Sequence, residues 1–208
     1  MNQPDLPLVT RRFLFDMLNP ESDIPASRVP TTDLPDIEGK VYVYNSARSV
    51  FYAPSDLSGI GGMRHERIRS VKSWYNGAPR QDCVFIGNTD SDAPGFEGLL
   101  VARVFLFFLS NTTVSHTHVP SFTGFSTVGD SPDDETGMWM VEPDFLRGKR
   151  VLEVIHLDSI LRGAHLIGVS GSHFLPSDPV FNFSKSLDAF KTFYVNKYVD
   201  HRAHEIAF

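Results

Sequence analysis

Residues 99–109 read LLVARVFLFFL and form the longest apolar run of the chain, with Arg103 as its one charged residue. The β-branched and aromatic residues of this run favour a strand. Its 11 residues are about half of the roughly 20 that a membrane-spanning helix needs. We therefore expect residues 99–109 to form the central strand of the fold, and we expect no membrane segment.

Shorter strand-like stretches lie on both sides of this run. We expect them at residues 40–44, 50–53, 82–86, 138–142, 151–156 and 165–169. Two segments between them have a different character. Residues 59–80 are bounded by Gly and Pro and predict a loop or a short helix, while Asp158 can cap a single helical turn at residues 159–164.

The two ends of the chain contrast with the strand-rich middle. Residues 1–38 contain six prolines, and only residues 9–18 suit a short helix or docking segment. We therefore expect a poorly ordered, disordered N-terminal arm. Near the other end, Ser186 is a favourable N-cap, and apolar residues recur near one face at Leu187, Phe190, Phe193 or Tyr194, and Tyr198. This pattern predicts a C-terminal helix over about residues 186–198.

These elements predict a mainly β (α+β) fold: a small barrel or curled antiparallel sheet with the C-terminal α-helix packed across it. A chain of 208 residues suits an arm at 1–38 and a single β-rich domain at 39–208. Cys83 is the only cysteine, which excludes an internal disulfide and a cysteine-rich zinc site. The N-terminus has no secretory pattern, so we expect an intracellular protein.

A basic and aromatic stretch at residues 64–80 is the most plausible functional surface. It has a net charge of +4 and could hold phosphates and stack on bases. Its candidate nucleic-acid-binding residues are Arg64, Arg67, Arg69, Lys72, Trp74, Tyr75 and Arg80. The alternative is that these cations pair with the acidic residues 130–144 or are simply solvated, and the chain's net charge of −6 favours that alternative.

Other motifs resemble catalytic or metal-binding sequences, but their spacing, order or number of ligands does not meet the requirements of such sites. His116 and His118 fall short of a three- or four-ligand zinc site, and residues 201–205, HRAHE, reverse the zincin order. Asp133, Asp134 and Glu135 are neighbours in one turn and cannot converge on a metal from separate elements. We therefore expect no catalytic residue, no metal site, no cofactor and no small-molecule ligand.

Seven segments of the chain resemble proteins encoded by fungal DNA transposons. They are FYAPSD (51–56), GGMRHERIRS (61–70), SWYNGAPRQDCVF (73–85), VARVFLFF (101–108), VGDSPDDETGMWMVEP (128–143), VIHLDSILRGAHLIGV (154–169) and SLDAFKTFYVNKYVDHRAHEIAF (186–208). The resemblance is to the C-terminal region of Plavaka or CACTA-like transposase-related proteins. It implies an SH3- or BAH-like barrel, a nuclear location, and DNA or a transposase or chromatin protein as partner.

One segment departs from the pattern of the family that the chain resembles. Where similar proteins carry a strand like Tyr-Pro-Cys-Ala-Leu-Val-His-Trp-Phe, residues 116–125 read HTHVPSFTGF. Codons for these residues, read one frame over, can spell the missing strand. We therefore hypothesise a frame-shifted segment at about 110–125, with a diverged loop as the alternative. Because Pro120 removes a ladder donor and Thr and Ser bury little apolar surface, we expect a loop here.

The sequence thus predicts a non-catalytic accessory module, derived from a fungal transposon protein, that interacts with DNA or protein. An inactive transposon relic is the alternative. A hydrolase is the third possibility, and it requires His165 or His173 to share a pocket with a serine and an acid.

Overall fold

A computed structural model describes residues 3–37, 39–53, 60–88, 91, 93–111, 116–171 and 183–207. Its helices and strands are, in order, α1 (Leu6–Leu18), β1 (Tyr42–Tyr44), β2 (Ser46–Tyr52), β3 (Met63–Val71), β4 (Arg80–Gln81), β5 (Cys83–Gly87), β6 (Leu99–Asn111), β7 (His116–Thr127), β8 (Met140–Pro143), β9 (Phe145–Leu146), β10 (Lys149–Arg150), β11 (Glu153–Val154), β12 (Ile160–Ala164), β13 (Leu166–Gly168), α2 (Ser186–Ala189), β14 (Phe193–Val195) and α3 (His201–Ala207). The prediction of a mainly β fold with antiparallel sheets is confirmed.

The main sheet is barrel-like and nearly closed. Within the described ranges its strands follow the order β12-β5-β6-β7-β8-β14-β13, with β1 added to β6 and β11 added to β7. The two end strands, β12 and β13, are consecutive in the chain and separated only by His165. The sheet must therefore curl so that its two ends meet, which leaves short edges.

The central strands β5 and β6 are buried on both faces. Phe85 and Val101 pack inside the barrel with Trp139 and Phe193. Alternate residues such as Val84 and Val104 point outward and are covered by the hairpin of β2 and β3 through Ile68. Burial on both faces explains why these strands read as continuous apolar runs in the sequence. It also fixes the position of the β2–β3 hairpin on the outside of the barrel.

The expectation of a loop within residues 110–125 is wrong, since β7 is a long central strand paired antiparallel with β6. Its Val119, Phe122 and Phe125 are buried in the core, and such residues favour strands. Pro120 lies opposite Phe107, beside a register shift in β6 between Val104 and Leu106. A bulge is one of the places where a sheet tolerates proline.

The expectation of a poorly ordered arm is also wrong for the described residues 3–37. Helix α1 packs Leu6, Val9 and Phe13 against the barrel. The following segment is folded back by Arg11, whose guanidinium donates to the carbonyl oxygens of Thr31, Leu34 and Pro35 at 2.7–2.8 Å. The proline-rich segment is therefore held in place by hydrogen bonds from the Arg11 side chain to its backbone.

The helix predicted over residues 186–198 is wrong as well. Helix α2 ends at Ala189, and β14 at Phe193–Val195 pairs with both β8 and β13. The apolar spacing resembled a helical face, but aromatic and β-branched residues at 193–195 favour a strand wherever two neighbouring strands can receive it. A short C-terminal helix, α3, begins only at His201.

Two further expectations about local structure fail for a related reason. Residues 63–71, within the segment expected to be a loop or short helix, form the nine-residue strand β3. Residues 160–164, expected to be part of a helical turn, form β12 after a short 3-10 turn at Leu157–Ser159. Both segments carry charges on strands, which weakens the apolar signal on which strand prediction depends.

Candidate nucleic-acid interface

The β2–β3 hairpin has two chemically different faces. Strand β2 pairs with β3 in a continuous register from Ser46–Arg69 to Tyr52–Met63. Because successive side chains alternate between faces, Ile68 and Glu66 point towards the barrel. Arg67 and Arg69 point away from it. We call the side that carries Arg67 the outer face and the side that carries Ile68 the inner face.

Arginines are concentrated on the outer face. Arg48 of β2 lies directly opposite Arg67 of β3, and both are exposed. Directly opposite residues have Cβ atoms about 5 Å apart, and like charges at such positions are destabilising. Arg69 is two residues further along the same face of β3. Within the described part of the chain, neither Arg48 nor Arg67 forms an ion pair, so this positive charge is not neutralised locally.

Trp74 orients two more guanidinium groups at the end of this face. The guanidinium carbon of Arg69 lies 4.8 Å from the centre of the Trp74 ring, and that of Arg80 lies 4.9 Å from it. Arg80 also donates to Asp82 at 2.7 Å, and Asp82 accepts the backbone N–H of Arg69. Cation–π contacts of this kind hold arginines in place while leaving them charged.

Tyr75 is an exposed ring held at the tip of a strained turn. Tyr75 and Asn76 both have positive φ, 49° and 61°, and Gly77 closes the turn by donating to the carbonyl of Trp74 at 2.9 Å. A bulky residue in this left-handed region is unusual. The Tyr75 side chain is 87% exposed and meets the Trp74 ring edge-on at 4.6 Å. The turn therefore presents an aromatic ring to solvent beside several arginines.

The structure groups most, but not all, of the residues predicted from the sequence. Arg67, Arg69, Trp74, Tyr75 and Arg80 lie together, and exposed Lys72 follows the end of β3. Arg64, by contrast, lies on the inner-face side of β3, opposite Phe51. The alternative of pairing with the acidic residues 130–144 is not seen: in the described ranges no ion pair joins that stretch to this face, and its Asp133 accepts from nearby Thr136.

Sequence reasoning missed Arg48 and Tyr52. Both lie on β2, well before residues 64–80, and reach the outer face only through the hairpin register. Tyr52 is 56% exposed and supplies a second accessible ring. The period-2 alternation of residues 64–70, with Ile68 and Ser70 on one side and Arg67 and Arg69 on the other, is the signal that could have revealed strand β3.

The inner face contains a compensated charge cluster. The Arg162 residue of β12 is only 4% exposed and pairs with Asp200 through two hydrogen bonds of 2.8 and 2.6 Å. It also lies 3.8 Å from Glu66, whose carboxylate accepts the N–H of Gly163 at 2.8 Å. A Cβ at Gly163 would meet the Glu66 carboxylate at 2.7 Å, so a larger residue there would require this carboxylate to shift.

Asp200 also ties helix α3 to the cluster. Its carboxylate accepts the N–H of Ala203 at 2.7 Å, as an N-terminal cap does. The hydrogen bonds from Arg162 hold the pKa of Asp200 below its ordinary value, and its burial opposes this effect. The cluster therefore joins β3, β12 and α3.

Of the two histidines that a hydrolase would require, His165 lies within the described residues. His165 contacts the side-chain amide of Asn196 at 3.1 Å, whereas His173 lies outside the described residues. Burial raises the pKa of the Cys83 thiol to about 12, so this thiol is not an activated nucleophile. His118 packs near Tyr44, with ring centres 5.9 Å apart. In the described part of the chain, no three His, Cys, Asp or Glu residues are grouped as a metal site would require.

Residues 201–205 form the beginning of α3. His201 and Arg202 both contact Glu205, at 3.0 and 2.9 Å. Both contacts with Glu205 therefore lie within the single short helix α3.

Among the helices of the described ranges, none combines the length and apolar character needed to cross a membrane. Comparisons with protein-family models, curated proteins and solved structures found no match for this chain.

Proposed function

We propose that the chain is a non-enzymatic nucleic-acid-binding module that contacts its target with the outer face of the β2–β3 hairpin. The cations of this surface are Arg48, Arg67, Arg69, Lys72 and Arg80, and its exposed rings are Tyr52 and Tyr75. The resemblance to fungal transposase-related proteins supports DNA as the target, an SH3- or BAH-like identity for the barrel, and a nuclear location.

The observation that carries the proposal is the direct cross-strand pairing of Arg48 with Arg67. Two like charges opposite each other repel, and a folded protein gains nothing from them by itself. A phosphate backbone removes the repulsion and releases its own counterions when it binds. An anionic partner therefore explains an arrangement that costs the isolated protein stability.

A single strand fits the rest of this surface better than a duplex does. Proteins that bind single strands combine a basic track with aromatic rings on which bases stack. Arg67 and Arg69 are two residues apart on one strand face, about 7 Å along β3. Tyr75 extends this row as an exposed ring beyond the Trp74 contacts. Trp74 itself holds Arg69 and Arg80, so we assign the stacking role to Tyr75 and Tyr52.

The loop expected at about residues 110–125 does not support the alternative of an inactive relic. Strand β7 is present there and contributes buried Val119, Phe122 and Phe125. The alternative of an inactive relic itself remains a prediction. The hypothesis of a shifted reading frame remains a prediction about the gene, and the nucleotide sequence of codons 110–125 tests it.

The test measures binding to a fluorescently labelled single-stranded DNA by anisotropy at low salt. We expect the variant Arg48→Gln/Arg67→Gln to bind at least about tenfold more weakly than the wild type, because two phosphate contacts are lost. The matched control is Arg147→Gln/Lys149→Gln, which removes two exposed cations from the β9–β10 hairpin. Equal binding by the wild type and the outer-face variant would contradict the proposal.

A further inference from the structure

A groove of about 390 Å³ opens beside the outer face. It lies between α2 and the turn at residues 74–77 that begins with Trp74. Among the described residues, its apolar walls are Trp74, Pro79 and Leu187, and its polar lining includes Arg80, Arg103 and Ser184. Sites of about 300–1,000 Å³ with apolar walls and a few convergent polar groups are typical of small-molecule ligands. Arg80 belongs to both the groove and the outer face, so the two surfaces are continuous.

Arg103 contributes a buried and incompletely compensated charge to this groove. It is 6% exposed, and it pairs with Asp188 at 2.9 Å. The same carboxylate oxygen of Asp188 also accepts from Arg150 at 3.0 Å, so two guanidinium groups share one carboxylate. Among the described residues, the buried Nε of Arg103 and Nη1 of Arg150 have no hydrogen-bond partner.

This imbalance differs from an ordinary buried salt bridge. Burying a charge is costly unless it is fully paired, and here the positive charge exceeds the negative charge. Burial lowers the pKa of Arg150, nearby Asp188 opposes that shift, and Arg103 adds to it. Asp82, which follows groove-lining Gln81 in the chain, is already engaged by Arg80. An anionic ligand in the groove would supply the missing negative charge.

We propose that this groove binds the terminal phosphomonoester of a nucleic-acid strand, with Arg103 and Arg80 holding the phosphate and the apolar walls enclosing the terminal nucleoside. The proposal rests on the proposed function, since the strand then continues from the groove along Arg69, Arg67 and Arg48. A terminal phosphate carries more negative charge than an internal phosphodiester, so a site with excess positive charge selects the end of a strand.

The experiment compares two single-stranded oligonucleotides of one sequence, with a 5′-phosphate or a 5′-hydroxyl, by competition anisotropy. A second pair carries a 3′-phosphate or a 3′-hydroxyl and identifies which end enters the groove. We expect one phosphorylated end to bind about tenfold more tightly than its hydroxyl counterpart, as one charge-assisted hydrogen bond permits.

The variant Pro79→Glu places a carboxylate at the exposed rim of the groove and should abolish this preference. Pro79→Gln is its uncharged control and should keep the preference. Because Arg103 is buried, Arg103→Gln carries a risk of misfolding, whereas the rim variants change an exposed position. Loss of the preference in both rim variants would contradict the role of charge at the groove.

The outcomes separate this inference from the proposed function. If all oligonucleotides bind equally and the outer-face variant binds weakly, the groove inference is overturned and the proposed function stands. If no oligonucleotide binds, the proposed function is overturned, and free thymidine monophosphate measured against thymidine by calorimetry tests the groove alone. Binding of the monophosphate only would support the groove as a phosphomonoester site, and binding of neither would overturn it.

Discussion

The two faces of the β2–β3 hairpin use arginine in opposite ways. On the inner side, Arg162 is buried and held by the carboxylates of Glu66 and Asp200. On the outer face, Arg48 and Arg67 lie opposite each other with no carboxylate between them among the described residues. One arginine therefore holds elements together, whereas the other two repel each other on an exposed surface.

The difference shows how the setting of a charge separates structure from binding. A buried arginine with two carboxylates has its desolvation cost repaid by close hydrogen bonds, and its removal leaves those acids without a partner. Exposed like charges contribute nothing to folding and are useful only towards an oppositely charged partner. Stability should therefore depend on Arg162, and affinity for nucleic acid should depend on Arg48 and Arg67.

The largest expected effect is the loss of stability when Arg162 is replaced. We expect Arg162→Met to lower the free energy of unfolding by about 3 kcal/mol, because Glu66 and Asp200 are left facing each other without the cation. Urea denaturation followed by tryptophan fluorescence measures it. The matched variant Arg67→Gln should change the free energy of unfolding by less than about 0.5 kcal/mol, or raise it slightly. An equal loss in the free energy of unfolding of the two variants would contradict the proposed difference between the two faces.

A second expected effect is a dependence of stability on pH, which tests the role of Asp200 in the inner-face cluster. The pKa of Asp200 is lowered in the folded state, chiefly by the hydrogen bonds from Arg162. Asp200 therefore contributes stability above the unfolded pKa of about 3.9. This contribution is lost as the pH falls through the lower folded-state pKa.

We expect the urea midpoint of the wild type to fall between pH 6 and pH 3. The fall should be smaller in Asp200→Asn, which keeps a side chain able to cap α3. If both proteins lose the same amount across this range, Asp200 is not the group responsible.

A third and smaller effect tests the exposed ring of Tyr75. The backbone of Tyr75 has a positive φ. This conformation is strained for a bulky residue, and asparagine tolerates it better. We expect Tyr75→Asn to keep or raise the stability by up to about 1 kcal/mol and to weaken single-strand binding by about tenfold, because one stacking contact is lost. Thermal unfolding and anisotropy measure the two quantities. Tyr75→Phe, which keeps the ring, should bind like the wild type.

The sequence predicted the core strands better than the charged ones. Residues 99–109 and 82–86 are apolar throughout because both faces of β6 and β5 are covered, and their strands were found. Strand β3 was missed because its inner side carries Glu66 and Arg64 as well as Ile68. Its burial pattern is set by β2 and β12, which no local pattern reveals.

The errors at residues 110–125 and 186–198 have different physical causes. In the first segment, Pro120 and several Thr and Ser residues suggested a loop, yet Ser121 and Thr123 are buried in a strand. Pro120 lies one pair away from the irregularity in β6, and such an irregularity is a property of the partner strand. In the second, helical spacing competed with strand pairing to β8 and β13, and the neighbours decided the outcome.

The candidate site was predicted in part. Residues 64–80 were identified from charge and aromatic content, and their candidate residues lie together except Arg64, which is on the inner-face side. Arg48 and Tyr52 depend on the hairpin register, and the involvement of Arg103 depends on the pairing of β5 with β6 and on the position of α2. Contacts between residues distant in the chain therefore determine the parts of the site that composition could not indicate.

The salt dependence of single-strand affinity tests the central claim most directly. We expect the plot of log affinity against log salt to be steep for the wild type. Its slope should be smaller by about 1.4 in Arg48→Gln/Arg67→Gln, since each lost phosphate contact reduces it by about 0.7. The slope of Arg147→Gln/Lys149→Gln should equal that of the wild type. A wild-type slope near zero, or an equal reduction in both variants, would contradict the claim that the outer face binds nucleic acid.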